Sequence, residues 1–266
     1  MKKQTIIETH QVRKYGDPAS LAMEVEKMLA AQAIGQSSGM FIVPEVLEFD
    51  AERGELTMSR LSNLVPLRQL KGSSSRDLAF YRSAGEALAI IHQQLYMNSN
   101  SRVDLPAKLD NHKHKCWVHG DYTKQNVGTA MHNGQVTLAI IDWQLSSMYG
   151  GNATYGTANF DIAWFVSGVF LEPPHKQTGQ WHMQLKARHF LAGYFKYATE
   201  GLGTASTLAY SRTLYQRRRE EFTSNYSIMR RLGLLPGLIH WKMFLDSEEF
   251  CELPVDIPDM DTDARP

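Results

Sequence analysis

The chain has only two cysteines, Cys116 and Cys251, in 266 residues. Two thiols so far apart do not make a disulfide scaffold, and such low usage suits a reducing compartment. No run reaches the ~20 apolar residues that a membrane-spanning helix needs. The opening MKKQTIIETHQ carries Glu8 and His10 where a signal peptide would be apolar. The expected location is therefore cytoplasmic, with no membrane association. An excess of charge is lacking too: 28 basic residues meet 28 acidic ones, which excludes a generally basic nucleic-acid binder. Internal repeats and low-complexity blocks are absent. No G-x-G-x-x-G phosphate loop lies near the first strand. What remains is ample core-forming material, with 43% hydrophobic residues, so most of the chain must fold.

Periodicity divides this material unevenly. Residues 4 to 15, QTIIETHQVRKY, read as one strand, with Val12 and Lys14 on the same face and Arg13 on the other. A helix follows from Pro18 to Ile34, its stripe made by Leu21, Val25, Met28 and Leu29. FIVPEVLEFD and GELTMSRL read as two strands around an acidic turn. A linker runs through residues 59 to 66, and Ser74 with Asp77 opens a second helix with a capping-box pattern. WVHGD and VTLAIIDW read as short strands, with Asn133-Gly134 as a hairpin signal between them. Beyond Asp161 the chain reads as mostly helical. A small lobe over 1–62 and a larger helical lobe over 63–266 are expected, with an extended acidic tail from about residue 252.

The chemistry concentrates in CWVHGDYTKQN, residues 116 to 126, and in IIDWQ, which holds Asp142. Phosphoryl transfer to an alcohol needs a carboxylate to orient and deprotonate the hydroxyl, a cation against the phosphates, and a few oxygen ligands for magnesium. Asp121 on a loop after a strand suits the base. Asn126, five residues on, can be aimed from the same loop, and Asp142 leaves the end of an aliphatic strand; these two suit the metal. Either carboxylate alone could be a cap or turn residue, but the ordered set points to one site.

HGDYTKQN followed by IDW resembles the aminoglycoside phosphotransferase and choline kinase family, relatives of the protein kinases. The resemblance spans most of the chain, since a small lobe precedes a large one. It implies an α+β, two-lobed, protein-kinase-like fold with a reduced N-terminal lobe and a mainly helical C-terminal lobe. It implies an ATP- and magnesium-dependent phosphotransferase acting on a hydroxyl of a small molecule, with GTP as the alternative donor. By the same resemblance Asp121 is the base, Asn126 and Asp142 bind magnesium, and His119 braces the loop. Asp161 of NFDIAWF would support that loop from a helix start; as an ordinary helix cap it fits equally well. Lys14 would hold the phosphates, Val12 would face the adenine, and Glu24, nearer the apolar stripe than Glu26, would pair with Lys14. Backbone groups from Ser59 to Leu61 would meet the base.

Three departures qualify the match. Thirteen residues precede Lys14, where the family has two strands and a Gly-rich turn, so the roof over the phosphates is expected to be absent or rebuilt and nucleotide binding weak. Thr123 stands two after Asp121, with Lys124 one place later, and no A-P-E follows Asp142. Asp161 follows Asp142 by only nineteen positions, which leaves little room for an activation segment plus a peptide-docking platform. A silent nucleotide-binding scaffold and a metal-dependent hydrolase are the competing readings. YQRRREEF at 215–222 reads as a solvated helix face rather than a phosphate-binding patch, and HKHK at 112–115 resembles a metal-binding tract only superficially. Oligomeric state and the acceptor's identity are not encoded in any motif.

Overall fold

A computed structural model describes residues 4–70, 74–110, 114–144, 153–171, 181–199, 202–225 and 228–250. The expected acidic tail lies outside these residues. Strands β1 (Gln4–Ile7), β2 (Gln11–Tyr15), β4 (Val46–Asp50) and β5 (Glu55–Ser59) make an antiparallel sheet in the order β1-β2-β5-β4. Residues 4 to 15 are therefore a hairpin rather than one strand. The Glu8 N–H donates to the Gln11 carbonyl at 2.9 Å and closes the turn, which contains no Gly, Pro or Asn to announce it.

Helix α1 (Pro18–Ser38) follows, capped by Asp17, whose carboxylate accepts the Ser20 N–H at 2.9 Å, and stopped by left-handed Gly39. FIVPEVLEFD is also divided. Pro44 cannot donate to a ladder, so β3 (Phe41–Ile42) ends before it. β3 pairs in parallel with β9 (Gln135–Ile140) in a second sheet of order β3-β9-β8-β6, with β8 at Val127–His132 and β6 at Val65–Pro66. The Asn133-Gly134 turn, both residues at positive φ, joins β8 to β9. WVHGD is not the hairpin partner expected: β7 (Lys115–Trp117) pairs with β10 (Tyr155–Thr157), and β8 is a strand that the sequence reading missed.

The larger part is built on helices α2 (Ser75–Gln94), α3 (Asn159–Leu171), α4 (Trp181–Tyr197), α5 (Thr204–Asn225) and α6 (Ile228–Asp246). The Ser74 hydroxyl accepts the Asp77 N–H at 3.1 Å and starts α2, as the capping pattern predicts. Every residue of α3 is buried. A helix apolar all round belongs in the middle of a core, and Phe165 of α3 stacks on Phe190 of α4 at 4.0 Å between centroids. Among the described residues no helix is long and apolar enough to cross a membrane.

Helices α2 and α4 approach through glycines. A Cβ on Gly85 would lie 2.0 Å from the Phe190 carbonyl oxygen, and one on Gly193 would lie 2.1 Å from that of Arg82. Backbone cannot rotate away as a side chain can. Gly85→Ala is therefore expected to force the helices apart and destabilise the fold by about 1–3 kcal/mol, read from the urea unfolding midpoint. An unchanged midpoint would mean that the crossing is not this close.

Candidate active site

The two parts meet at a cleft of about 700 Å³. Its roof is one face of the β1–β2 hairpin. Cross-strand partners Thr5 and Lys14, and Ile7 and Val12, line it side by side, with Thr9 and His10 of the turn. Met58, Ser59, Arg60 and Leu61 form its back, and Asn126, Ile141 and Asp142 its floor. In place of a glycine-rich loop, a short hairpin covers the cleft.

Lys14 is the junction of the site. Its ammonium binds the Glu24 carboxylate of α1 and, at 2.7 Å, Oδ1 of Asp142. Burial alone would lower the Lys14 pKa. The charges of Glu24 and Asp142 outweigh it, so the pKa lies above the usual lysine range and the group stays cationic. Glu24 is buried on α1. Glu26 faces elsewhere, accepting the Asn98 N–H at 2.6 Å. Arg13, on the opposite face of β2, meets Glu8 at 3.2 Å and Glu55 at 3.4 Å. Asp142 holds a left-handed φ of 58°, which Asp and Asn adopt more readily than other residues with a Cβ, and it sits beside Lys14 at the cleft.

Asp121 adjoins the floor through Asn126 and is not itself among the residues that line the cleft. The Trp164 indole N–H donates to its Oδ1 at 2.9 Å, and the Asn126 amide donates to its Oδ2 at 3.0 Å. Burial pushes the Asp121 pKa up to about 6 against those two hydrogen bonds, with the charge of Asp142 adding to the rise. A carboxyl with a pKa this near neutral can both hold and release a proton close to ordinary pH.

The loop under Asp121 is braced by buried polar groups. Asp161 is the third residue of α3, not its cap, and its carboxylate accepts the backbone N–H of His119 at 2.7 Å and of Gly120 at 2.9 Å. Burial would raise its pKa, but the hydrogen bond and charge of His92, 3.1 Å away, hold it below the usual carboxylate range. His119 is fully buried and accepts the Asp121 N–H on Nδ1 at 3.2 Å. Desolvation lowers its pKa to about 4, so its ring is neutral at ordinary pH and unsuited to acid catalysis.

Two of these groups escaped the sequence reading. Trp164 lies one helical turn beyond Asp161. Lys27 lies one turn beyond Glu24, and its ammonium donates to the His119 carbonyl at 3.0 Å from a site 1% exposed. The available signal was a charged residue at helical spacing on an apolar stripe. Desolvation lowers the Lys27 pKa from the usual 10.5 to about 8, with Asp161 and Glu24 opposing the drop.

A testable linkage follows from Lys27. Between pH 8 and 10.5 the unfolded chain binds this proton and the folded chain does not, so stability rises with pH through that window. The stability of the native protein relative to Lys27→Met should accordingly rise by about 2–3 kcal/mol from pH 7 to pH 10. Urea titrations of both proteins at the two pH values measure it. Parallel pH dependences would mean that Lys27 is not buried as a cation.

Residues 99–197 match the model of the APH phosphotransferase enzyme family. No curated protein matches the chain. Among solved structures, amicoumacin kinase hAmiN in complex with AMP-PNP, Ca2+ and Ami superposes with a TM-score of 0.53 at 12% identity, covering 96% of this chain and 90% of that one. A glucosamine kinase bound to glucosamine, ADP and inorganic phosphate gives 0.51 at 15% identity, covering 95% and 80%. A further crystal form of a glucosamine kinase gives 0.52 at 14%, covering 92% and 75%. At these identities the likeness is one of fold. The segment that carries the HGDYTKQN loop is thus similar to the phosphotransferase enzyme family, and the chain as a whole has a two-lobed protein-kinase-like fold.

Proposed function

We propose that the protein transfers the γ-phosphoryl group of ATP to a hydroxyl of a small molecule in a magnesium-dependent reaction. The observation that carries the proposal is the set of linked groups at the cleft: Lys14, paired with buried Glu24 and with Asp142, and Asn126, whose amide donates to the adjoining Asp121. Lys14 provides the fixed cation for the phosphates. Val12 lies under the roof as an apolar surface for the base. The Ser59 N–H is committed to the Glu45 carbonyl at 2.8 Å and the Arg60 N–H to the His10 carbonyl at 2.9 Å, which narrows the hinge donor for the base to Leu61. GTP could use the same hinge, and comparing the two nucleotides decides the donor.

The floor fits a magnesium site of the kind completed by substrate. Asn126 spends its amide N–H on Asp121, which leaves its amide oxygen as a ligand, and Asp142 contributes a carboxylate that lines the cleft. Among the described residues no cluster of three or more His, Cys, Asp or Glu could hold a metal without a substrate. Two oxygen side chains with phosphate oxygens and waters are what this ion takes. Bound there, magnesium would neutralise charge on the phosphates. The chain's own residues do the rest: Asp121 accepts the acceptor's proton, Lys14 positions the phosphates, and the Asp161 braces hold the loop in place.

The test is nucleotide consumption measured with and without hydroxyl compounds, cationic and neutral, in magnesium and in chelator. Acceptor-stimulated, magnesium-dependent consumption supports the reading. Nucleotide binding with no consumption under any acceptor would favour the silent scaffold, and consumption indifferent to acceptor would favour a hydrolase.

A further inference from the structure

The segment YQRRREEF, expected to be a solvated face, buries Tyr215 and Phe222 and turns the half-buried Arg218 toward α3. Arg218 of α5 places its guanidinium 5.2 Å from the centre of the Trp164 ring and pairs with Glu221 at 3.2 Å. Phe160, one turn before Trp164 on α3, stacks parallel to that ring, with centroids 6.0 Å apart and planes 10° apart. Trp164 is 6% exposed. The indole thus has its plane set by an aromatic ring and a cation, and its one polar atom points at Oδ1 of Asp121.

We propose that Trp164, fixed by Phe160 and Arg218, is the positioning residue of the catalytic base: its N–H holds one carboxylate oxygen while Asn126 holds the other. This rests on the reading of Asp121 as base. A carboxylate on an exposed loop samples several rotamers. Here the two donors approach different oxygens from different elements, α3 and the loop itself, so the carboxylate plane is defined. The remaining lone pairs are then aimed along one direction, where an acceptor hydroxyl must arrive. Misplacing a reacting group by about 1 Å can cost about a hundred-fold in rate. The indole supplies the donor without charge, so it orients the carboxylate without neutralising it as Arg or Lys would.

Two readouts test this. The first needs no turnover. The chain has five tryptophans, and 15N-indole spectra assigned by Trp→Phe variants identify the Trp164 N–H. In Asp121→Ala that proton is expected to shift upfield and exchange with solvent faster than in the native protein. No change in either property would overturn the hydrogen bond and the proposal with it. The second is kinetic. Trp164→Phe is expected to lower kcat about ten- to a hundred-fold while the KM for ATP stays within about twofold. Trp164→His, whose ring still donates, is expected to recover part of the loss; if the Phe variant does not fold, the indole spectra decide. Native kcat in folded Trp164→Phe, no recovery in folded Trp164→His, or a loss confined to KM would overturn the positioning role. If the native protein transfers no phosphate to any acceptor, the kinase reading fails, and the indole spectra still decide whether Trp164 orients Asp121.

Discussion

Asp121→Asn is expected to fold, to bind Mg·ATP as the native protein does, and to turn over about 10²–10⁴-fold more slowly. The substitution is nearly isosteric. An Asn carbonyl can still accept the Trp164 N–H, and the Asn126 amide, which loses its side-chain acceptor, keeps the residue 121 backbone carbonyl, so the loop keeps its shape. What disappears is the proton acceptor. Stability should not fall either, because burial already disfavours the charged form and raises the Asp121 pKa to about 6. The separation matters: calorimetry reports nucleotide affinity, and initial rates report turnover. A variant with native turnover would remove Asp121 from the mechanism. A variant that lost nucleotide binding as well would make Asp121 part of the binding site instead.

Asp142→Ala is expected to abolish the magnesium enhancement of nucleotide binding and, with it, measurable turnover. The substitution deletes the anionic ligand and leaves Asn126 as a neutral one. Lys14 keeps Glu24, so the roof keeps its cation. Alanine does not sit comfortably at the Asp142 φ of 58°, a backbone cost of about 1–2 kcal/mol that has nothing to do with metal. Asp142→Asn separates the two effects, since Asn tolerates that conformation and still lacks the charge. ATP titrations of the native protein and both variants, with and without magnesium, give the comparison. If both variants keep the native magnesium enhancement, the metal binds elsewhere.

How much of this was legible beforehand depended on distance along the chain. HGDYTKQN is local, and its spacing needs only one loop to bring Asp121 and Asn126 together. The choice of Glu24 over Glu26 followed from a helical wheel, and α1 does bury Glu24 against Lys14. The hairpin inside residues 4 to 15 was invisible because its turn, Glu8-Thr9-His10, has none of the residues that force a reversal. β8 was missed because it follows the loop directly and carries Gly128, which sits in the strand where Val65 approaches. Trp164 and Arg218 could not be placed from sequence at all. Their meeting depends on how α5 crosses α3, a matter of packing between segments some fifty residues apart. The buried Lys27 was hidden for a simpler reason. A single lysine on a helix is ordinary, and only its contact with the His119 carbonyl, ninety-two residues away, gives it a role.

The most direct measurement is 31P NMR of a reaction containing the protein, Mg·ATP and one hydroxyl compound at a time. The expected result is loss of the ATP γ-phosphorus signal matched by a new phosphomonoester signal on one of the acceptors, absent with Asp121→Asn. Release of inorganic phosphate alone, at the same rate with every acceptor and with Asp121→Asn, would contradict it.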